Sequence, residues 1–475
     1  LATPSPKNIP FVNKIPSQFA LPLCPIAEQN QPEPGIESVR WNCNQTSRRF
    51  NSALLSLMLV LGTMFLSSRV TAGTWTPLAN QAPAGIGLML LQPDGTVMCA
   101  AYGGSSWWRL TPDDHGSYVR GTWSAMAAMN YTRLYYSSQV LPCGKVLVAG
   151  GEYGSGGPYA EMYDPQANIW TVLPGAPGVN NFIDSISETL PNGDVIIAPV
   201  SPANYGGTVI WNTASNNWSV GPTLYRGDDQ DEASWVKLPD ESILTIDPFG
   251  QESERYIPSL NQWVNDSDVP VAMYGYGGEL GAGFLLPNGN AFYIGGTDNT
   301  AIYTPSGTTV PGVWTAGATI PDNLGAVDAP AAMMANGNIL CQLGPDGGYD
   351  SPTYFYEYNY LSNTFTAEPS PGGGTSFSPV SFACIMLDLP DGTVLFSYVN
   401  SQLYDYQPGG NPVTSGVPTI SSVSTNLDGS FHLTGMRLNG ISEGAAYGDD
   451  NQMASDYPIV HITDLAGNIR YCRTY

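Results

Sequence analysis

The sequence predicts an all-β protein, a seven-bladed β-propeller followed by a short β domain, and three observations carry that expectation. The composition is that of a turn-rich β chain, one turn element recurs seven times at near-constant spacing, and the last repeat lacks a strand that the region before the first repeat can supply. Gly 53, Pro 40 and Tyr 27 among 475 residues, with only 12% charged, describe many short strands joined by tight turns. A 42% hydrophobic content is enough for a core and excludes wholesale disorder. A helical bundle or coiled coil would need far more Ala, Glu, Lys and Leu. With Lys+Arg at 16 and a formal charge of −24, the basic footprint that neutralises phosphates is missing, so no nucleic acid is expected as a partner.

Residues 1–73 read as an upstream extension plus a secretory signal peptide. The run ALLSLMLVLGTMFL (53–66) follows Arg48 and Arg49 and precedes Val70-Thr71-Ala72, so the mature chain would begin near Gly73. Its 14 residues fall short of the about 20 that a membrane span needs. Residues 1 to 45 are Pro/Asn/Gln-rich, and the first Met is Met58, inside the apolar run. Residues 1–73 hold six basic and three acidic groups, leaving 10 Lys+Arg against 37 Asp+Glu, a formal charge of −27. Such a surface stays soluble and repels acidic polymers. The protein is therefore expected to be secreted, periplasmic or at the cell surface, a monomer, and free of the membrane after signal cleavage. Five cysteines follow Gly73 (Cys99, Cys143, Cys341, Cys384 and Cys472), too irregular for a disulfide framework and lacking zinc spacing. Cys99 and Cys341 sit in apolar strands and read as buried thiols.

The propeller is expected over residues 74–410. The turn recurs in LQPDGTVMCA, LPCGKVLVAGG, LPNGDVIIAP, LPDESILTID, LPNGNAFYIGG, MANGNILCQLG and LPDGTVLFSY, with its pivot at positions 95, 144, 193, 241, 289, 337 and 392. The steps are 49, 49, 48, 48, 48 and 55 residues. Each turn lies between apolar runs and offers a residue tolerant of positive φ, which marks a β-hairpin. A second hairpin follows, as in YDPQANIW, WNTASNNW and YIPSLNQW, ending at Trp170, Trp218 and Trp263, with looser copies ending at Trp123, Trp314 and Phe365. Two hairpins make a four-stranded meander, and seven meanders make a ring. The seventh copy reaches LYDY (403–406) without a closing Trp, while GTWTPL with Trp75 precedes the first copy. Trp75 is therefore expected to complete the seventh blade and seal the sheet edges.

The Gly-Gly pairs 150–151 and 295–296, the Tyr of YDP and the Trp about seven residues later resemble kelch repeats. The seven-fold count, the secretory signal and the trailing β segment resemble the galactose oxidase-type central domain. Residues 411–475 are similar to an appended immunoglobulin-like domain, here short and partial, since about 100 residues would be usual.

Loops on one face of such a disc are short and uniform. Those on the other vary (EYGSGGPY, SPANYGG, GPDGGYDSPTYFY), and variable loops on a rigid scaffold usually carry binding. Counting back nine residues from each pivot reaches the mouth of each innermost strand: Ile86, Tyr135, Asp184, Glu232, Leu280, Asp328 and Ala383, with Glu279 one step off. Asp228, Asp229 and Asp231 crowd beside Glu232, Arg133 and Arg226 lie in two of the loops, and Tyr131, Tyr136, Phe182, Tyr225, Tyr274, Tyr276 and Phe377 accompany them. Crowded carboxylates need a cation, an arginine, hydrogen bonds or raised pKa values. An oxygen-rich mouth would suit Ca²⁺, and acids beside aromatic rings suit sugars. Two acids can also serve a glycoside hydrolase. A hydrated polar channel, a binding site and a catalytic site all fit these residues.

The galactose oxidase resemblance would imply copper held by two His and two Tyr, one Tyr crosslinked to Cys. Only His115, His432 and His461 exist, none beside a Tyr in the propeller, so copper is not expected and no ligand is carried over. The expected function is binding of an extracellular glycan or protein on the variable face. A carbohydrate-active enzyme, either an acid/base hydrolase or an oxidoreductase, is the alternative.

Overall fold

A computed structural model describes residues 21–23, 72–202, 206–248, 250–444 and 457–474. The expected leader at 53–71 lies outside the described residues. No helix among them is long and apolar enough to cross a membrane.

Seven antiparallel meanders stand around a central channel. Blade 1 comprises Ile86–Leu91, Val97–Ala101, Trp107–Thr111 and Thr122–Ala125. Blade 2 comprises Ser137–Val140, Val146–Ala149, Ala160–Asp164 and Ile169–Val172, and blade 3 Ile186–Thr189, Val195–Ala198, Val209–Asn212 and Asn217–Val220. Blade 4 comprises Val236–Lys237, Ile243–Ile246, Ser253–Ile257 and Gln262–Asn265. Blade 5 has Gly283–Leu285, Ala291–Ile294, Thr300–Thr304 and Val313–Ala316. Blade 6 has Ala331–Met333, Ile339–Pro345, Tyr354–Asn359 and Thr364–Glu368. Blade 7 takes Ile385–Asp388, Val394–Ser397 and Tyr404–Gln407 from the end of the ring and Thr74–Pro77 from its start.

The core lies in layers between blades, because both faces of each inner strand pack on a neighbour. Ser137–Val140, Ile243–Ile246 and Ala291–Ile294 are buried at every position. The pivot turns form as expected: the residues at 95, 144, 193, 241, 289, 337 and 392 all have positive φ, including Glu241 at 66°. Each donates its N–H to the carbonyl three residues earlier, as Gly95 does to Gln92 and Glu241 to Leu238 (2.9 and 2.8 Å).

The outer hairpins stitch neighbouring blades together. Asn168, Asn261 and Asn363 adopt φ of 52, 49 and 52°, a conformation that Asn tolerates better than most residues. Each accepts a hydrogen bond from the repeat tyrosine five residues earlier: Tyr163, Tyr256 and Tyr358, all at 3.0 Å. Asn168 and Asn363 also accept from Ala127 and Ala318 of the preceding blades' trailing loops (3.0 and 2.9 Å). The closing tryptophans work in the same direction. Trp123, Trp170 and Trp218 donate their indole N–H to Asn80, Ala127 and Pro174, just beyond the preceding blade's last strand (3.0, 3.0 and 2.8 Å).

Ring closure repeats this pattern with the two ends of the chain. Trp75 pairs with Tyr406, donates to the Pro369 carbonyl at 2.6 Å, and packs edge-on against Phe355 and Phe396. Glu368 accepts from both the Gly73 N–H and the Tyr406 hydroxyl at 2.9 Å. Ser397 of blade 7 donates to the Ile86 carbonyl of blade 1 at 2.7 Å.

An immunoglobulin-like domain over residues 411–475 is not confirmed among the described residues. Thr419–Thr425 pairs with Phe431–Met436, to which Leu21–Leu23 adds as an edge. Glu443–Gly444 joins blade 5 along its innermost strand, and Val460–Thr463 forms a hairpin with Ile469–Cys472. Thr419–Thr425 is exposed throughout, so no second sheet covers it. The hairpin lies against the same face of blade 1 as its pivot turn, with Ile469 donating to the Asp114 carbonyl of the outer hairpin at 2.7 Å and Tyr457, just before the hairpin, donating to the Leu91 carbonyl. Cys99, Cys341, Cys384 and Cys472 are buried and Cys143 is exposed.

Asn168→Ala removes two hydrogen bonds and forces a left-handed Ala. It should cost about 2–3 kcal/mol in a denaturant titration.

Candidate functional site

The loops that lead into the innermost strands bring together residues far apart in sequence. Tyr135, Asp184, Glu232 and Asp328, the nine-before-pivot positions of blades 2, 3, 4 and 6, share φ of 46, 49, 52 and 48°. One common backbone turn thus ends four approach loops. For a residue with a Cβ it costs roughly 1 kcal/mol each time, and strain of this kind gathers at functional sites. In blade 5, Tyr276–Gly278 forms a single 3₁₀ turn capped by Glu279, which accounts for the one-step offset.

The acids converge. One carboxylate oxygen each from Glu152, Asp184 and Glu232 lie within 4.8 Å of one another. Asp184 also shares hydrogen bonds with Glu152 and Asp231. Glu279 is only 7% exposed; its Oε1 accepts from the Tyr349 hydroxyl at 2.5 Å, and its Oε2 has no hydrogen-bond partner.

Burial and like charge raise these acids. Burial chiefly, then the bond to Asp184 and the charges of Asp184 and Asp328, pushes Glu152 up to about 9. Burial and the charges of Asp328, Asp231 and Asp184 push Glu279 up to about 8, against the opposing Tyr349 bond. Asp231 rises to about 6, through burial and then Asp184 and Asp229. The Tyr349 phenol is raised by burial and by Glu279, and that of Tyr153 first by the Glu152 charge.

Tyrosines flank the acids. Tyr102 and Tyr135 hydroxyls lie 2.8 Å apart, and Tyr135 meets Tyr153 edge-on. Tyr349 stands edge-on to Tyr276 and to Phe382. Tyr153 and Tyr276 are 82% and 53% exposed.

Of the residues singled out from sequence, Asp184, Asp231, Glu232, Glu279, Asp328 and Tyr135 belong to this cluster. Tyr274 lies partly buried beside it, its hydroxyl bonded to the Ile246 carbonyl at 3.0 Å and its pKa raised by burial and by Asp247, Glu232, Asp231 and Glu279. Tyr276 flanks the cluster beside Tyr349, while Arg133, Phe182, Tyr131 and Arg226 are engaged within the scaffold. Arg133 is fully buried and donates to Glu161, Gly150 and Tyr159 (3.0, 2.5 and 2.9 Å). Gly150 allows this close packing, because a Cβ there would lie 2.1 Å from the Phe182 carbonyl oxygen. Phe182 is itself fully buried against Trp218, not presented for binding. Tyr131 stacks on Tyr159 within blade 2. Arg226 pairs with Asp247 and Glu254 (2.7 and 3.6 Å), and Asp228 is exposed near that pair.

Sequence reasoning missed Glu152, Tyr153, Tyr102 and Tyr349. All four lie in loops between second and third strands, whose lengths differ, so no repeat register could locate them. Glu152 directly follows the Gly150-Gly151 pair, the one signal that could have found it.

The donors gathered here are carboxylate and phenol oxygens. His115 lies in the outer hairpin of blade 1, His432 in the trailing sheet and His461 in the docked hairpin against Tyr471. Oxygen donors of this kind are the ligands that hard cations take, whereas imidazole and thiolate are those that copper favours.

The raised pKa values set a direction for stability. Folded pKa values of about 9, 8 and 6 for Glu152, Glu279 and Asp231 exceed unfolded values near 4.5, 4.5 and 3.8. Their contribution is therefore full below about pH 4 and lost as pH rises toward 9. In chelator-containing buffer the midpoint of thermal unfolding should fall steadily from pH 5 to pH 9. Asp184→Asn, which removes the shared neighbour, should flatten that fall.

No family model matches the chain. It is 26% identical over 184 residues to an F-box/kelch-repeat protein of Arabidopsis thaliana, covering 37% of this chain and 47% of that protein. The chain thus spans about half the length of that curated relative. Among solved structures it is similar to a fungal alcohol oxidase of the AA5 family in complex with copper, at TM-score 0.57 and 14% identity over 85% of this chain and 93% of that one. A streptogramin B lyase matches at TM-score 0.50 and 12% identity, covering 72% of this chain and all of the other. At such identities the likeness concerns the fold. This chain is a seven-bladed β-propeller with a galactose-oxidase-like structural neighbour and a distant kelch-repeat relative.

Proposed function

We propose that this protein is a secreted propeller that binds a carbohydrate at the acid-lined mouth of its variable face. One observation carries the reading. A tight group of carboxyls, some protonated near neutrality, sits between exposed tyrosine rings. Protonated Glu152 and Glu279 can donate hydrogen bonds while Asp231 accepts them, which matches hydroxyls that do both. Tyr153 and Tyr276 offer apolar faces to the carbon side of a sugar ring. Secretion is supported by the basic, apolar and small-residue order of residues 48–72. An extracellular protein presenting hydroxyl or amide groups would meet the same chemistry.

Acid/base catalysis on a glycoside is the second reading, favoured by neighbouring carboxyls whose pKa values spread from about 6 to about 9. Such separation lets one act as proton donor beside an ionised partner.

Glycan-array binding with residues 74–475 should give a defined set of hits. Tyr153→Ala and Tyr276→Ala should weaken them by about tenfold, and Asp228→Asn should leave them unchanged. Hits insensitive to both tyrosines contradict the site. Hydrolysis of a bound glycan that Glu279→Gln abolishes would favour the catalytic reading.

A further inference from the structure

We propose that Glu152, Asp184 and Glu232 form a calcium site at the channel mouth, contributed by blades 2, 3 and 4. The carboxylate oxygens lie within 4.8 Å of one another. Ca²⁺–oxygen bonds of about 2.3–2.6 Å place two ligands of one ion at most about 5 Å apart. All three donors are carboxyl oxygens, hard ligands that as carboxylates select calcium over transition metals, so a bound ion displaces the proton that Glu152 holds in its absence.

A second observation comes from outside the triad. Glu279 is 93% buried, and its Oε2 has no hydrogen-bond partner. It feels the charges of Asp328, Asp231 and Asp184. A buried carboxyl oxygen without a hydrogen-bond partner, within the field of three more acids, must either keep a proton or have positive charge enter the cluster. The two arginines of the neighbouring approach loops do not supply it, since Arg133 is held by Glu161 and Arg226 by Asp247. A cation on the triad would lower the repulsion felt by Glu279. The triad residues are each part-exposed, which leaves room for water or ligand hydroxyls to complete the coordination. The claim that the bound ion also contacts a sugar rests on the carbohydrate reading. The metal site itself does not.

The test uses the full mature chain. Tb³⁺ should bind and be sensitised by excitation of the adjacent Tyr135 and Tyr153, and Ca²⁺ should displace it. Glu152→Gln and Asp184→Asn should each weaken binding by about tenfold or more, as loss of a coordinating charge does. Asp228→Asn, outside the triad, should not. Circular dichroism of each variant guards against misfolding, and calorimetric Ca²⁺ titration of the unaltered chain gives a readout that needs no variant. Absence of Ca²⁺ binding at millimolar concentration, or binding indifferent to both triad variants, overturns the proposal. Glycan binding that survives with no Ca²⁺ binding would sink the metal site and spare the carbohydrate reading. Ca²⁺ binding without any glycan would do the reverse.

Discussion

The fold depends on one constraint: seven sheets must close on themselves, and the last is finished by the first strand of the ring. Trp75 does more than add a fourth strand. Its indole reaches the Pro369 carbonyl of blade 6, and its ring fills the space among Phe355, Phe396 and Tyr406. Glu368 gathers the Gly73 N–H and the Tyr406 hydroxyl at the same seam. Loss of this seam would expose blade edges and the layer shared by blades 6, 7 and 1.

Closure also creates the chemistry. A ring places equivalent positions of successive blades on a common rim, so residues some 48 apart in sequence become neighbours. Asp184 and Glu232 meet in this way, and Asp328 is near enough to raise Glu279. The scaffold solves its own electrostatics by pairing: Arg133 with Glu161, and Arg255 with Asp266, all fully buried. The mouth does not follow that rule. Its acids crowd one another and retain protons, an arrangement that weakens the fold and suits a ligand. Asp231, Glu152 and Glu279 thus sit on the same side of the trade between stability and function.

The architecture was legible because it repeats. Seven pivots fixed seven blades even where Glu241 stands in place of Gly, and the missing Trp of the last copy pointed to Trp75. The left-handed turns at Tyr135, Asp184, Glu232 and Asp328 fell where the repeat register placed them. Beyond the register, legibility ended. Glu152 and Tyr349 lie in loops of unequal length. Arg133 looked like a ligand-facing cation, yet its partner Glu161 is 28 residues away on another strand. In the trailing segment the described strands pair within a small sheet, along blade 5 and against the pivot face, contacts that no local pattern encodes.

Hydrogen exchange at the seam tests the central claim most directly. If Thr74–Pro77 is an integral strand of blade 7, its amides should exchange as slowly as those of Tyr404–Gln407, opening only with the ring. Rapid exchange of Thr74–Pro77 beside a protected Tyr404–Gln407 would mean an unsealed ring, and the shared rim of acids would lose its physical basis.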